Sequence, residues 1–403
     1  MTDFPFGFQL PGGSGPDPAD PAQMQAFMAQ LQQMFASPSD GPVNWNLARQ
    51  LAEQTARSGD RSLTAAERDA VAEAVRLADL WLDPATSLPS GVTTPAAWSR
   101  LEWIEHTMPT WRALCDPVAA RVVGAMQHLV PEEMRAQLGP MASMLGSLGG
   151  VMFGGQVGQG LGQLSAEVLG ASDIGIPLGP VGTAALLPAG VAAFAEGLER
   201  PEDEVRLYVA LREAAHQRLF AHVPWLRGHL LDSVDAYARG ISVDRDAVET
   251  AMSQIDPTDP ESMQDVLSRG LFQPEDTPQQ RAALARLETA LALVEGWVAH
   301  VVEQASAGRL PSGPALAEAF RRRRAGGGPA EQTFATLVGL ELRPRRLREA
   351  TALWAALTEH RGADGRDALW GHPDLLPSSE DLDDPVGFAQ RTDDGHLPGL
   401  EDL

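Results

Sequence analysis

The chain has no lysine: all 31 basic side chains among its 403 residues are arginine. Together with abundant Ala, Gly and Pro, that absence reflects a GC-rich genome and is not a signal of chemistry. Cysteine is nearly missing too. The single Cys115 excludes an internal disulfide framework and fits a reducing, cytoplasmic compartment. With no histidine close to it in sequence, Cys115 reads as a small core residue and not as a nucleophile. Positive charge is scarce, and the formal net charge is −23. That balance argues against nucleic-acid binding and against docking on anionic lipid. Segments alternating with period 2 are almost absent, as are β-branched runs, so the expected class is all-α. The start, MTDFPFGFQLPGG, lacks the basic and apolar regions of a signal peptide. The apolar run from Ile174 to Ala195 is interrupted by Pro177, Pro180 and Pro188, so no membrane span is expected and buried core with loops is.

The length suggests two domains or one large one. Residues 1–42 read as a Gly/Pro-rich arm, with helical spacing over Met24 to Phe35. The body is expected over 43–370, and 371–403 as a disordered acidic tail. From Asp374 to Leu403, nine acidic residues stand against Arg391 alone, a net of −8. Within the body, helices are expected over Leu47 to Ser58 and Thr64 to Leu82, the second opened by the capping pattern Thr64-Ala-Ala-Glu67. Others are expected over Trp98 to Met108, Pro117 to Val130, Pro201 to His222 and Pro278 to Ala307. A last pair covers Ala330 to Leu337 and Pro344 to Arg361. The stretch GGQVGQGLGQL resembles a dinucleotide loop only superficially. No strand precedes it, and Gly158, Gly160 and Gln163 miss the required third glycine, so its small residues point to close helix packing. Arg321 to Arg324, followed by Gly326-Gly327-Gly328-Pro329, reads as a flexible basic loop in solvent, with anion binding or contact with the acidic tail as the sharper alternative.

Chemistry concentrates in Tyr208-Val-Ala-Leu-Arg212-Glu213-Ala-Ala-His216. The pattern is R-E-x-x-H where a zinc-peptidase helix has H-E-x-x-H. In the intact motif, histidines at i and i+4 share one helix face and bind zinc, and the intervening glutamate is the general base. Arg212 and His216 do share a face, with Glu213 offset by about 100°. Arg212 stays protonated and has no lone pair for a metal. Downstream, Ala290 to Val302 is apolar except for Glu295 and His300. Such a helix is buried, and a buried carboxylate needs a partner or a metal, so Glu295 must be paired inside the protein. His300 lies about 140° from Glu295 on the helical wheel and need not face the same site. His222 stands six residues after His216, but without the glycine of the longer histidine motif.

Four segments carry a resemblance: GGQVGQGLGQLSAEVLG, ALLPAGVAAFAE, YVALREAAHQRLFAHVPWL and LALVEGWVAHVV. Through them the chain resembles an actinobacterial zincin-like metallopeptidase family of uncharacterised hydrolase candidates, one branch of which is associated with deazaflavin coenzyme biosynthesis. The resemblance spans roughly residues 43 to 370. It implies a helical zincin-like fold, zinc as cofactor and a peptide or protein as substrate or partner. It also implies His216 as a metal ligand, Glu213 as the catalytic base and Glu295 as the third ligand, with His222 and His300 as weaker candidates. Arg212 stands where the first metal histidine belongs. Two readings therefore stay open. One is a metal-dependent hydrolase with an altered site. The other is a catalytically silent binding or scaffold protein in which Arg212 replaces the metal and pairs with Glu295.

Overall fold

A computed structural model describes residues 41–128, 139–239, 277–325, 333 and 346–391. The expected arm helix at Met24 to Phe35, the segment Ala330 to Leu337 apart from Thr333, and the chain beyond 391 lie outside the described residues. The architecture is helical. Helix α1 (Trp45–Arg57) is capped by Asn44, whose side chain accepts from Leu47 N–H at 3.0 Å. Helix α2 (Ala65–Leu82) opens with the expected capping box: Glu67 N–H donates to Thr64 Oγ1, and Thr64 N–H to Glu67 Oε2.

Helix α3 (Arg100–His128) is one element where two were expected. Pro109 and Pro117 sit inside it without ending it. Each proline removes one backbone bond, but buried Trp103, Ile104, Met108, Trp111, Leu114, Cys115 and Val118 keep one apolar face running past both. Helix α4 (Gly139–Leu164) is the glycine-rich stretch. It packs on α1 so closely that a Cβ on Gly154 would lie 2.5 Å from the Asn44 carbonyl oxygen, and one on Gly158 would lie 2.5 Å from that of Ala48.

One two-stranded parallel sheet is present among the described residues. Strand β1 (Thr94–Ala97) pairs with β2 (Thr183–Leu186), Thr94 opposite Thr183. Both are too short to show an alternating pattern. The ladder is extended where Ala171 N–H donates to the Ala185 carbonyl and Leu187 N–H to that of Leu169. It thereby fixes the loop 169–182 against the centre of the molecule. After α5 (Pro188–Ala195) comes α6 (Glu202–His222), in which every residue from Tyr208 to Leu219 is buried. Helix α7 (Pro224–Arg239) follows the proline stop. Helix α8 (Pro278–Ser306) packs on α6, on α7 and on α10 (Leu347–Asp367).

Helix α9 (Gly313–Ala325) corrects the reading of Arg321 to Arg324 as a solvated loop, because all four arginines lie on it. The body also continues past residue 370. Two 3-10 turns and helix α11 (Pro385–Arg391) bury Leu382, Phe388 and Ala389 against α10, and Arg346 pairs with Asp383. Acidic residues there are thus partly folded onto the body, where an acidic tail was expected. No helix among the described residues is long and apolar enough to cross a membrane.

The close approach of α4 and α1 gives a paired test. Gly158→Ala should destabilise the protein by about 1–3 kcal/mol through overpacking. Gly155→Ala, where a Cβ meets nothing within 4 Å, should be neutral or gain up to about 1 kcal/mol of helix propensity. Urea unfolding of the two variants side by side checks this, and equal destabilisation would contradict the packing.

Candidate functional site

A helix buried on all sides must find a partner for every polar side chain it carries. Helix α6 does so on three flanks. Arg218 faces α2. It donates from Nε and Nη2 to Asp79 Oδ1 at 3.0 and 2.8 Å, from Nη2 to Asp83 Oδ1 at 2.6 Å, and from Nη1 to the Leu88 carbonyl at 2.8 Å. This is a structural clamp.

The second flank faces the loop 169–182. Glu213 Oε2 accepts from Ser172 N–H at 3.0 Å. Its Oε1 accepts from Ser172 Oγ at 3.1 Å and from Gln217 Nε2 at 3.1 Å. All three donors are neutral. Burial pushes the Glu213 carboxyl above the usual carboxylate range, outweighing the nearby His216 and these hydrogen bonds.

The third flank meets α8. Arg212 Nη2 donates to Glu295 Oε2 at 2.5 Å, and His216 Nε2 lies 3.0 Å from Glu295 Oε1. Arg324, reaching in from α9, donates from Nη2 to Glu295 Oε1 at 2.9 Å and also to the Asp173 carbonyl. The Glu295 carboxylate thus receives two guanidiniums and an imidazole, and it is 1% exposed. Burial works against its charge, but Arg324, Arg212 and His216 together hold it far below the usual range. His216 Nδ1–H donates to the Arg212 carbonyl at 2.9 Å. Both ring contacts are therefore hydrogen bonds only when each nitrogen carries a proton. Burial also opposes the charge of Arg212, and Glu295, with Tyr208 and Asp173, more than restores it. Arg324 is shifted the other way. Its burial and the repulsion of Arg212 and Arg323 outweigh Glu295 and Asp173.

Three further residues complete the shell. Arg323 grips Asp173 through Nη1, at 3.0 and 2.9 Å to its two oxygens, which ties α9 to the loop. Gly175 has φ +80°, and a Cβ there would lie 3.0 Å from Glu295 Oε1, so glycine alone suits that turn. Gly296 follows Glu295 for a separate reason. A Cβ on it would lie 2.7 Å from the Ala350 Cβ of α10. Outside the cluster, a narrow cleft reaches Arg212 and Arg324, and Phe320 stacks against the Arg212 guanidinium at 4.8 Å.

The sequence-expected residues Arg212, His216 and Glu295 meet, while Glu213 turns to Ser172 and Gln217. His222 does not join them. It lies at the exposed helix end with Nε2 3.1 Å from the Ser90 carbonyl. His300 does not either. It bonds Thr358 Oγ1 at 2.8 Å, and burial, aided by Arg366, pushes it down to about 4. Arg324 and Asp173 were missed. The run of four arginines was the visible signal, but its helical continuation from Gly313 was not recognised.

The donors do not suit zinc. Arg212 removes one ligand, both Glu295 oxygens are taken by nitrogen donors, and Glu213 is committed to the loop. Among the described residues no group of three or more His, Cys, Asp or Glu is arranged to hold a metal ion.

A family model described as zincin-like metallopeptidase matches residues 43–389. In structure, the chain is similar to a protein from Chloroflexus aurantiacus described as a candidate hydrolase with a novel fold. The TM-score is 0.58 at 21% identity, over 87% of this chain and 99% of that one. At that identity the likeness concerns the fold. None of the curated proteins compared with the chain matches it.

The two buried glutamates should respond oppositely to loss of charge. Glu295 has a depressed folded pKa, so its contribution is complete above the unfolded value of about 4.3 and is lost as pH falls below it. Glu295→Gln should cost about 3–5 kcal/mol at pH 7.5, since it leaves buried guanidiniums uncompensated, and less at pH 4. Glu213 has a raised folded pKa, so its charge penalises folding above the unfolded value. Glu213→Gln should stabilise at pH 7.5 and change little at pH 4. Denaturant unfolding at the two pH values measures both. Stabilisation by Glu295→Gln at pH 7.5 would refute the assigned pairing.

Proposed function

The chain belongs to the zincin-like metallopeptidase family, and from that premise we propose that it is a metal-free, catalytically silent member that acts by binding. The observation that carries this reading is the 2.5 Å Arg212–Glu295 contact. A guanidinium stands where the family's motif has a metal histidine and takes the carboxylate that would be the third ligand. A charge-assisted bond of this kind, backed by Arg324 and His216, satisfies Glu295 without zinc.

Glu213 supports the same conclusion. As a general base it would need an oxygen free to take a proton from water, within hydrogen-bond reach. Its two oxygens instead accept three bonds from Ser172 and Gln217, which makes it the anchor of the 169–182 loop. A peptide or protein partner is the class that the family suggests.

The competing reading is a metal-dependent hydrolase, and family membership is what favours it. That reading requires both Arg212 and Arg324 to leave Glu295, exposing a carboxylate and a histidine to a metal that would polarise a water.

Metal analysis of protein purified without chelator separates the two. The metal-free reading expects zinc well below one per chain, unchanged by His216→Ala. Stoichiometric zinc that disappears in His216→Ala would overturn it. A second expectation is specific to the arrangement of the arginines. Arg212→His alone should gain little zinc, because Arg324 still holds Glu295 Oε1. The double variant Arg212→His/Arg324→Leu should bind it. Zinc uptake by the single variant equal to that of the double would show that Arg324 does not guard the carboxylate.

A further inference from the structure

The cleft that reaches Arg212 and Arg324 has room for about one water molecule. Nothing larger reaches the buried cluster while the outer wall of the cleft stays in place. That wall is α9, which contributes Ala317, Phe320, Arg321 and Arg324, while Tyr208 and Arg212 of α6 and Ala299 of α8 lie beneath.

Helix α9 is held differently from the helices it covers. On α8 every residue from Ala290 to Val298 is buried, whereas the apolar side chains that α9 buries are Leu316 and Phe320. Phe320 meets Phe194 edge-on at 4.9 Å between ring centroids and Tyr208 at 5.4 Å. The first end of α9 is pinned to α6, where Ser312 N–H donates to Glu204 Oε2 at 2.8 Å. The far end is gripped by arginines: Arg323 on Asp173 and the Glu167 carbonyl, Arg324 on Glu295 and the Asp173 carbonyl. Buried ion pairs give back much of their attraction as desolvation, so they hold an element less firmly than apolar packing does. The body also keeps its charges paired without α9. Glu295 would retain Arg212 and His216, Asp173 would retain the Leu169 N–H, and the two guanidiniums would pass into water. No carboxylate is stranded. Elements with little buried apolar surface are where folded proteins open locally.

We propose that α9 is a lid. It pivots at Ser312–Gly313, carries Arg323 and Arg324 off Asp173 and Glu295, and lifts Phe320 from Tyr208, which opens the recess over Arg212 and His216. Its 13 residues are too few to stay helical alone in water, so lifting also frees its backbone amides. The motion does not depend on the metal-free reading above, because Arg324 must leave Glu295 before anything can approach that carboxylate.

The test is native-state hydrogen exchange of the full chain, read with nitration of its two tyrosines by tetranitromethane. Amides from Ala317 to Arg324 should exchange faster than those from Leu291 to Val301 of α8. Arg323→Met, which removes the grip on Asp173 and touches no atom of Glu295, should speed α9 exchange about 10- to 100-fold, as loss of a charged contact does, and leave α8 unchanged. Tyr208, 2% exposed under Phe320, should be nitrated faster in the variant, while Tyr237 of α7 keeps its rate. If Arg323→Met does not fold, the exchange of the unaltered chain carries the test. Equal protection of α9 and α8, or acceleration of both by the variant, would overturn the lid. So would faster α9 exchange with Tyr208 nitration unchanged, since that is fraying of the last turn. Zinc content, measured separately, bears on the metal-free reading alone.

Discussion

One buried carboxylate organises this molecule. Glu295 sits near the middle of a helix whose neighbours on both sides are buried apolar residues, where an isolated negative charge would cost several kcal/mol. It is tolerated because Arg212, His216 and Arg324 converge on it from two other helices. The convergence decides more than local charge. Arg324 brings the end of α9 onto the core, and Arg323 beside it clasps Asp173. Asp173 in turn accepts from Leu169 N–H at 3.0 Å, at the start of the loop that Glu213 grips from the other side. A chain of ion pairs and hydrogen bonds therefore runs from α8 through α9 and the 169–182 loop back to α6. The short parallel strands hold that loop at its base.

The central helix shows why such a chain is needed. Along twelve consecutive buried residues, α6 carries Arg212, Glu213, His216, Gln217 and Arg218. A helix with a single wet face would leave these in water. Here they are sorted by direction, toward α2, the loop and α8, and each direction supplies matched donors or acceptors. Apolar packing alone would not specify the rotation of a helix with so little amphipathic character. The polar spokes do, since turning it by one residue would strand several charges at once.

How much of this the sequence disclosed follows from range. The capping box at Thr64 and Glu67, the stop at Pro224 and the burial of Glu295 depend on near neighbours and could be read directly. The glycines of α4 also declared themselves, because small residues at intervals have few other uses. Pro109 and Pro117 misled, since local propensity argued for a break that the long apolar face of α3 overrides. The four arginines of α9 misled for the same reason in reverse. Read alone they are a hydrophilic run, and only the distant Glu295 and Asp173 give two of them a buried destination. The site's membership was thus half legible: the motif residues of α6 and the lone carboxylate of α8 were visible, and the arginine that arrives from α9 was not.

Exchange of a metal histidine for arginine need not disturb such a core, and charge explains why. A zinc ion with one carboxylate and two neutral histidines leaves one positive charge in excess. Arg212 and Arg324 around the same carboxylate leave the same excess, spread over two planar groups. The surrounding dipoles and the loop at Asp173 would meet a similar field in both cases. What changes is the kind of electrophile. A metal accepts a lone pair and acidifies a bound water, whereas a guanidinium has no vacant orbital and offers only N–H bonds.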